Sequence, residues 1–161
     1  MIEEHLYFAG CVFWRWQHLP GWEVVAPVYF QKLPRFFKHW LPSWILRPQV
    51  VQSLWCQGVG RFTHDEVSEK VFACLSALSV QLGGKRYFGG EKLSLLDFSA
   101  FGQLEAILNS APVPSPAIAQ ARVELPNLLR YVRRLKREFF PELIEHKQSF
   151  APSSIPSLHH P

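Results

Sequence analysis

The chain has 161 residues, of which 48% are hydrophobic and 19% charged, with a formal net charge of +4. That length can bury one sizeable core, and the composition is too apolar for a disordered chain. The apolar run 6–14 stops at Arg15, well short of the ~20 residues of a membrane-spanning helix, and the acidic start at Glu3 and Glu4 does not read as a secretory signal.

Residues 1–18 read as a helix with Glu3 and Glu4 in its first turn and Arg15 and His18 in its last, the charge order that the helix dipole favours, and Pro20-Gly21 is read as its end. Ile2, Leu6, Ala9, Phe13 and Trp16 form one apolar stripe. Tyr7, Cys11 and Trp14, at i, i+4 and i+7, form a second, so this helix needs cover on both sides. From 22 to 55 the chain is rich in proline (27, 34, 42, 48) and in aromatic residues interleaved with Lys32, Arg35, Lys38 and Arg47. This predicts short helices broken at each proline. The stretch Phe36-Phe37-Lys38-His39-Trp40-Leu41 has the make-up of a membrane-interface segment, though packing on the core is the simpler reading.

Gly58-Val59-Gly60-Arg61 is a turn. Thr63 then caps a helix, Glu66 closes a capping box, and Phe62 with Val67 forms a staple across it. Val67, Val71, Cys74, Leu75, Leu78 and Leu82 hold the helical period until Gly83-Gly84 stops it. The same device recurs after Gly89-Gly90: Ser94 is the cap, Asp97 the reciprocal carboxylate, and Leu93 with Phe98 the staple. The helix so begun is expected to turn Phe98, Phe101, Leu104, Ile107 and Leu108 inward, and its Gly102 suggests a close backbone neighbour. Residues 109–116 form a proline-rich loop and 117–125 a short helix. A basic helix follows between Pro126 and Pro141, with Leu128, Tyr131, Val132, Leu135 and Phe139 recurring at helical spacing and Arg130, Arg133, Arg134, Lys136 and Arg137 on its wet face. Order is expected over 1–145, followed by a disordered Pro/Ser-rich tail over 146–161. No strand alternation of useful length appears, and the predicted class is all-α.

Chemical motifs are scarce. Gly84 and Gly89 have the separation of a phosphate loop, but Gly90 stands where its lysine should be, and Gly58-Val59-Gly60 lacks the rest of a dinucleotide fingerprint. Cys11, Cys56 and Cys74 form no CxxC pair and read as reduced core thiols. His159-His160 is too little for a metal, so no metal is assigned. The basic helix carries no accompanying nucleic-acid motif, and nucleic acid is not expected as a partner. Asp97 has a complete task as a cap and names no catalytic partner. The one face left for a ligand is Tyr7, Cys11 and Trp14.

Three stretches resemble one known family. They are 1–8 with Arg15-Trp16, 58–66, and 87–104, followed by Leu125-Pro-Asn-Leu-Leu-Arg-Tyr131 and the Phe140-Pro141 ending. Together they resemble the C-terminal helical domain of the glutathione transferase superfamily, in the metaxin-like branch that includes the failed axon connections proteins. The resemblance implies an all-α bundle. It also implies that the activating residue and the glutathione site belong to an N-terminal thioredoxin-like half, so no catalytic residue is expected in this chain. Glutathione is expected as a cofactor only with such a half present. The opening helix, which helps line the apolar substrate pocket in that family, maps onto Tyr7, Cys11, Trp14 and Arg15. The reading is therefore a noncatalytic association domain, with a thioredoxin-like domain, a second subunit or a membrane surface as partner. Its alternative is the hydrophobic-substrate-binding half of a glutathione transferase. The expected place is the cytoplasm, with the mitochondrial outer membrane surface as the alternative. The all-round apolar opening helix suggests a fragment rather than a stand-alone module.

Overall fold

Two short polar motifs set where the best-defined helices begin. Thr63 accepts from the Glu66 N–H at 3.3 Å while its own N–H donates to the Glu66 carboxylate at 2.8 Å, and helix α4, His64–Leu82, runs from that box to Gly83. Ser94 N–H donates to the Asp97 carboxylate at 3.0 Å, and α5, Leu95–Leu104, follows. The computed structural model describes residues 2–34, 36–111 and 115–141, with the side chains of 2–4, 38 and 39 left aside. The tail read at 146–161, with His159 and His160, lies outside the described residues, as does the 112–114 part of the proline loop.

The described residues are helical, with a single isolated bridge between Tyr87 and Gly90 that closes the glycine turn ahead of α5. The order is an opening helix Ile2–Gln17, α1 Leu19–Tyr29, α2 Phe37–Leu41, a wide turn Pro42–Leu46, α3 Arg47–Gln57, a short 3-10 turn Val59–Arg61 and α4. After α5 come a wide turn Glu105–Asn109, α6 Pro116–Glu124 and α7 Pro126–Phe139. The opening helix and α4 pack on each other at the centre, with α5, α6 and α7 around them. Leu6, Phe13, Val67, Val71, Leu75, Leu104, Ile107, Ile118, Leu128 and Val132 fill the space between. Burial of this continuous apolar set supplies most of the drive to fold.

Polar groups tie the helices at their ends. Ser115 accepts from the Ile118 N–H to start α6, and the Ala117 N–H donates to Ser68 Oγ of α4 at 3.0 Å. Asn127, at the start of α7, donates to Ser79 O at 2.9 Å. Arg122 donates to Leu108 O through both Nε and Nη2, which satisfies a helix-end carbonyl with positive charge. Lys136 of α7 pairs with Glu105 at 2.6 Å, both groups nearly buried.

Several sequence expectations need correction. Pro20-Gly21 does not close the opening helix so much as begin the next one, because proline at the first turn of α1 lacks only an N–H that would be unpaired anyway. Pro27 lies inside α1, and Pro42 and Pro48 sit at first-turn positions within backbone that stays helical from 37 to 57, so the prolines do not break the chain there. Gly102 has no neighbour around the place of a Cβ. The close approaches are instead at Gly21, whose added Cβ would meet Trp14 O at 1.8 Å, and at Gly10, which faces Ile107. Phe98 is exposed and meets Phe139 edge-on at 6.2 Å rather than turning inward. Cys56 is exposed, whereas Cys11 is buried and Cys74 half-buried.

Candidate functional site

The opening helix carries the residues singled out by sequence, and its winding decides where they point. His18 N–H donates to Phe13 O at 3.0 Å, a five-residue span wider than the α-helical one, and the helix is wound this way along its length. Tyr7 emerges 45% exposed, its ring edge-on to Phe8. Cys11 is buried with Sγ 3.9 Å from Gln103 Oε1. Burial pushes its thiol up, against the opposing charge of Arg15, which disfavours the thiolate. Trp14 is buried among Phe13, His18 and His64, and its Nε1 has no partner among the described residues.

Arg15 lines a cleft beside α1. Its Nη2 donates to Ala106 O at 3.1 Å and its Nη1 to the Tyr29 hydroxyl at 3.4 Å. The guanidinium forms one wall of a cleft of about 370 Å³ with Val24, Val25, Val28 and Ser110. Tyr7, Cys11 and Trp14 are not part of the lining of this cleft.

A larger cleft, about 620 Å³, opens between the first turns of the opening helix, the end of α3 and α4. Ala9, Val59, Phe62 and Val67 make its apolar wall, and His5, Arg61 and Lys70 stand at it. Gly58, with φ at 104°, turns the chain out of α3 so that Arg61 Nε reaches back to Trp55 O at 3.0 Å and its guanidinium lies over the Trp55 ring. Lys70 Nζ lies 4.4 Å above the Phe62 ring. His5 and Arg61 fall in the stretches that carry the family resemblance, and Phe62 with Val67 was read as a staple, but none was read as a ligand site, because the cleft is made by elements far apart in the chain.

A third feature was visible in sequence but its exposure was not. Phe36 and Trp44 are each 79% exposed, and Phe37, Trp40, Ile45 and Trp55 are exposed with them, on the backbone that runs helically from 37 to 57. Pro42 on the same stretch is buried, so the stretch turns one side to the protein and the aromatic side out. Arg47 fixes this orientation: its Nε donates to Trp16 O at 2.8 Å and its Nη2 to Gln17 O at 3.1 Å, at the carbonyl end of the opening helix.

The capping residues are structural in their contacts. Asp97 is fully buried and accepts from Phe88 N–H at 2.7 Å, Ser94 N–H, Ser94 Oγ at 2.7 Å and the Tyr131 hydroxyl at 2.9 Å. Burial opposes its charge, but these donors outweigh it and hold the carboxyl below its ordinary range. Burial and the Asp97 carboxylate push the Tyr131 hydroxyl far up. Thr63 holds Glu66 low through backbone and hydroxyl hydrogen bonds at the surface. His18 and His64 meet edge-on at 5.2 Å; burial, then the His64 charge, push His18 below its ordinary value. Among the described residues no group of three His, Cys, Asp or Glu side chains could hold a metal ion. On α7, Arg134 donates to Arg86 O, and Arg86 pairs with Glu138 at 3.1 Å, so part of the basic face is engaged within the chain. No described helix is long and apolar enough to cross a membrane.

Residues 71–135 match the family described as glutathione S-transferase, C-terminal domain. The chain is 30% identical over 140 residues to the isoprene-epoxide glutathione S-transferase of Rhodococcus sp. (strain AD45), covering 86% of this chain and 58% of that protein. It is 34% identical over 85 residues to metaxin-2 of Mus musculus, covering 53% of this chain and 32% of that one. Against the metaxin-1 homolog of Caenorhabditis briggsae it is 32% identical over 83 residues, covering 52% and 26%. The chain thus spans little more than half the length of the transferase it matches and about a third or less of the metaxins. No solved structure matches it.

Proposed function

From the premise that the chain carries a helical domain of the glutathione S-transferase C-terminal type with metaxin relatives, we propose that it is a noncatalytic module whose work is association. The observation that carries this reading is the amount of large apolar side chain left at the surface. Phe36, Trp44 and Leu95 are exposed by 79%, 79% and 87%, where a lone monomer would normally bury or replace them. A thioredoxin-like domain or a second subunit is the expected partner. The three cysteines are all free thiols, which supports a reducing compartment, the cytoplasm, as its place.

Light scattering on size-exclusion fractions tests this. The expected result is self-association, or a monomer that binds apolar dyes and is converted to a complex by a thioredoxin-like partner. A compact monomer inert to both would overturn it.

A second reading has its own support: the transferase relative matches over most of this chain, and two clefts with apolar walls adjoin the opening helix. On that reading the chain is the hydrophobic-substrate half of a glutathione transferase, glutathione being bound by a thioredoxin-like half. Arg15 and the valines of α1 then face the electrophile. Conjugation of an apolar epoxide by a preparation containing both halves, reduced by Val25→Trp, supports it. Glutathione-dependent turnover by these 161 residues alone would contradict both readings.

A further inference from the structure

We propose that the surface formed by residues 24–34 and 36–62 docks on an anionic lipid membrane as a peripheral, interfacial anchor; this rests on the association reading and names the partner. No Asp or Glu occurs between Glu23 and Asp65, whereas Lys32, Arg35, Lys38, Arg47 and Arg61 all fall there. Lys32 and Arg61 are exposed, Arg47 is engaged by Trp16 O and Gln17 O, and with no carboxylate on the stretch its net charge is positive. The same stretch carries the exposed aromatic set. Phe37, Trp40 and Trp44 recur at helical spacing on the side opposite buried Pro42, with Phe36 beside Phe37 at 5.7 Å and Phe37 beside Trp40 at 5.9 Å.

Tryptophan and phenylalanine interleaved with cations suit the boundary between headgroups and acyl chains. The rings enter the apolar edge of the bilayer, and the exposed Lys32 ammonium and Arg61 guanidinium meet lipid phosphates. An isologous dimer through this surface would set its cations against their own copies, which disfavours a second copy of the chain as occupant. Since no described helix can cross a membrane, the attachment lies on the surface, and Arg47 keeps the opening helix on the protein side of it.

The test is flotation of the full 161-residue chain with phosphatidylcholine vesicles, with and without phosphatidylglycerol, at low and high salt. Tryptophan emission is the second readout. Binding to the anionic vesicles only, with a blue shift and a loss of about fivefold for each lipid-facing cation screened by salt, is the expected result. The double variant Trp40→Ser, Trp44→Ser should weaken partition on the order of tenfold per side chain. Val80→Ser, at an exposed position on α4, should change nothing, and circular dichroism should be unaltered in all. Equal binding to neutral vesicles, undiminished binding of the double variant, or no binding at low salt would each overturn the proposal. Light scattering without lipid reports separately: association there, with no lipid binding, leaves a protein partner as the occupant and the association reading intact.

Discussion

Replacing Asp97 by alanine should cost about 3–4 kcal/mol of unfolding free energy. The carboxylate is fully buried and serves donors on three elements: the glycine turn through Phe88 N–H, the α5 cap through Ser94, and α7 through Tyr131. The Phe88 N–H would lose its partner in the core, a penalty of about 2 kcal/mol. Loss of the capping box adds about 1 kcal/mol. Tyr131 keeps the Asp97 backbone carbonyl at 3.2 Å, which limits its share to roughly 0.5–1 kcal/mol. Asp97→Asn keeps one acceptor for Phe88 and Tyr131 and should cost only about 1–2 kcal/mol. Urea unfolding followed by circular dichroism measures both; the alanine variant should also lower Tm by about 10 °C in a domain of this size. The sign with pH follows from the lowered carboxyl. The stabilisation is complete above the ordinary value of 3.8 and is lost as pH falls through the lower folded value, so the wild-type advantage over Asp97→Asn shrinks in acid. An alanine penalty under about 1 kcal/mol, or an asparagine penalty as large as the alanine one, would refute the assignment of Asp97 as the knot of this region.

Gly21→Ala should destabilise by about 2–3 kcal/mol, since the new methyl meets the Trp14 carbonyl and backbone has nowhere to move; Gly10→Ala, which faces only the end of Ile107, should cost less in the same urea titration. His18 is held below its ordinary value of 6.5, so the unfolded chain binds the extra proton and thermal stability should fall as pH drops below that value, with a flatter profile in His18→Gln. Thr63→Ala should cost about 1 kcal/mol by chemical denaturation, because the Glu66 N–H loses its Thr63 Oγ1 acceptor while the backbone N–H at 63 still donates to the Glu66 carboxylate. Lys136→Met should cost about 1–2 kcal/mol, because the nearly buried Glu105 loses its lysine while Asn109 still donates to it; a neutral effect would mean that the pair contributes nothing net.

The parts of the fold that local chemistry decides were legible. Thr63 with Glu66 fixes the start of α4 and Gly83 its end, and Ser94 with Asp97 fixes α5, because the donors and acceptors lie within three residues of each other. Leu128, Tyr131, Val132 and Leu135 gave α7 by their period alone, though Phe139 at its end stays exposed. The prolines misled because the same residue that interrupts a helix interior is at home in a first turn, and which applies depends on where the helix begins. The ligand face on the opening helix assumed an α-helical period. Wider winding places Tyr7 outside while Trp14 lies buried against His18 and His64. The clefts at Arg15 and at His5, Arg61 and Lys70 join segments distant in sequence, and no local pattern encodes such a meeting.

Arg47 joins the outer aromatic stretch to the opening helix through two carbonyls, Trp16 O and Gln17 O. One residue further along sits His18, against Trp14 and His64. Arg47 thereby places a cation where the last turn of the opening helix leaves carbonyls without helical partners, and the outer stretch is tied into the fold at that turn.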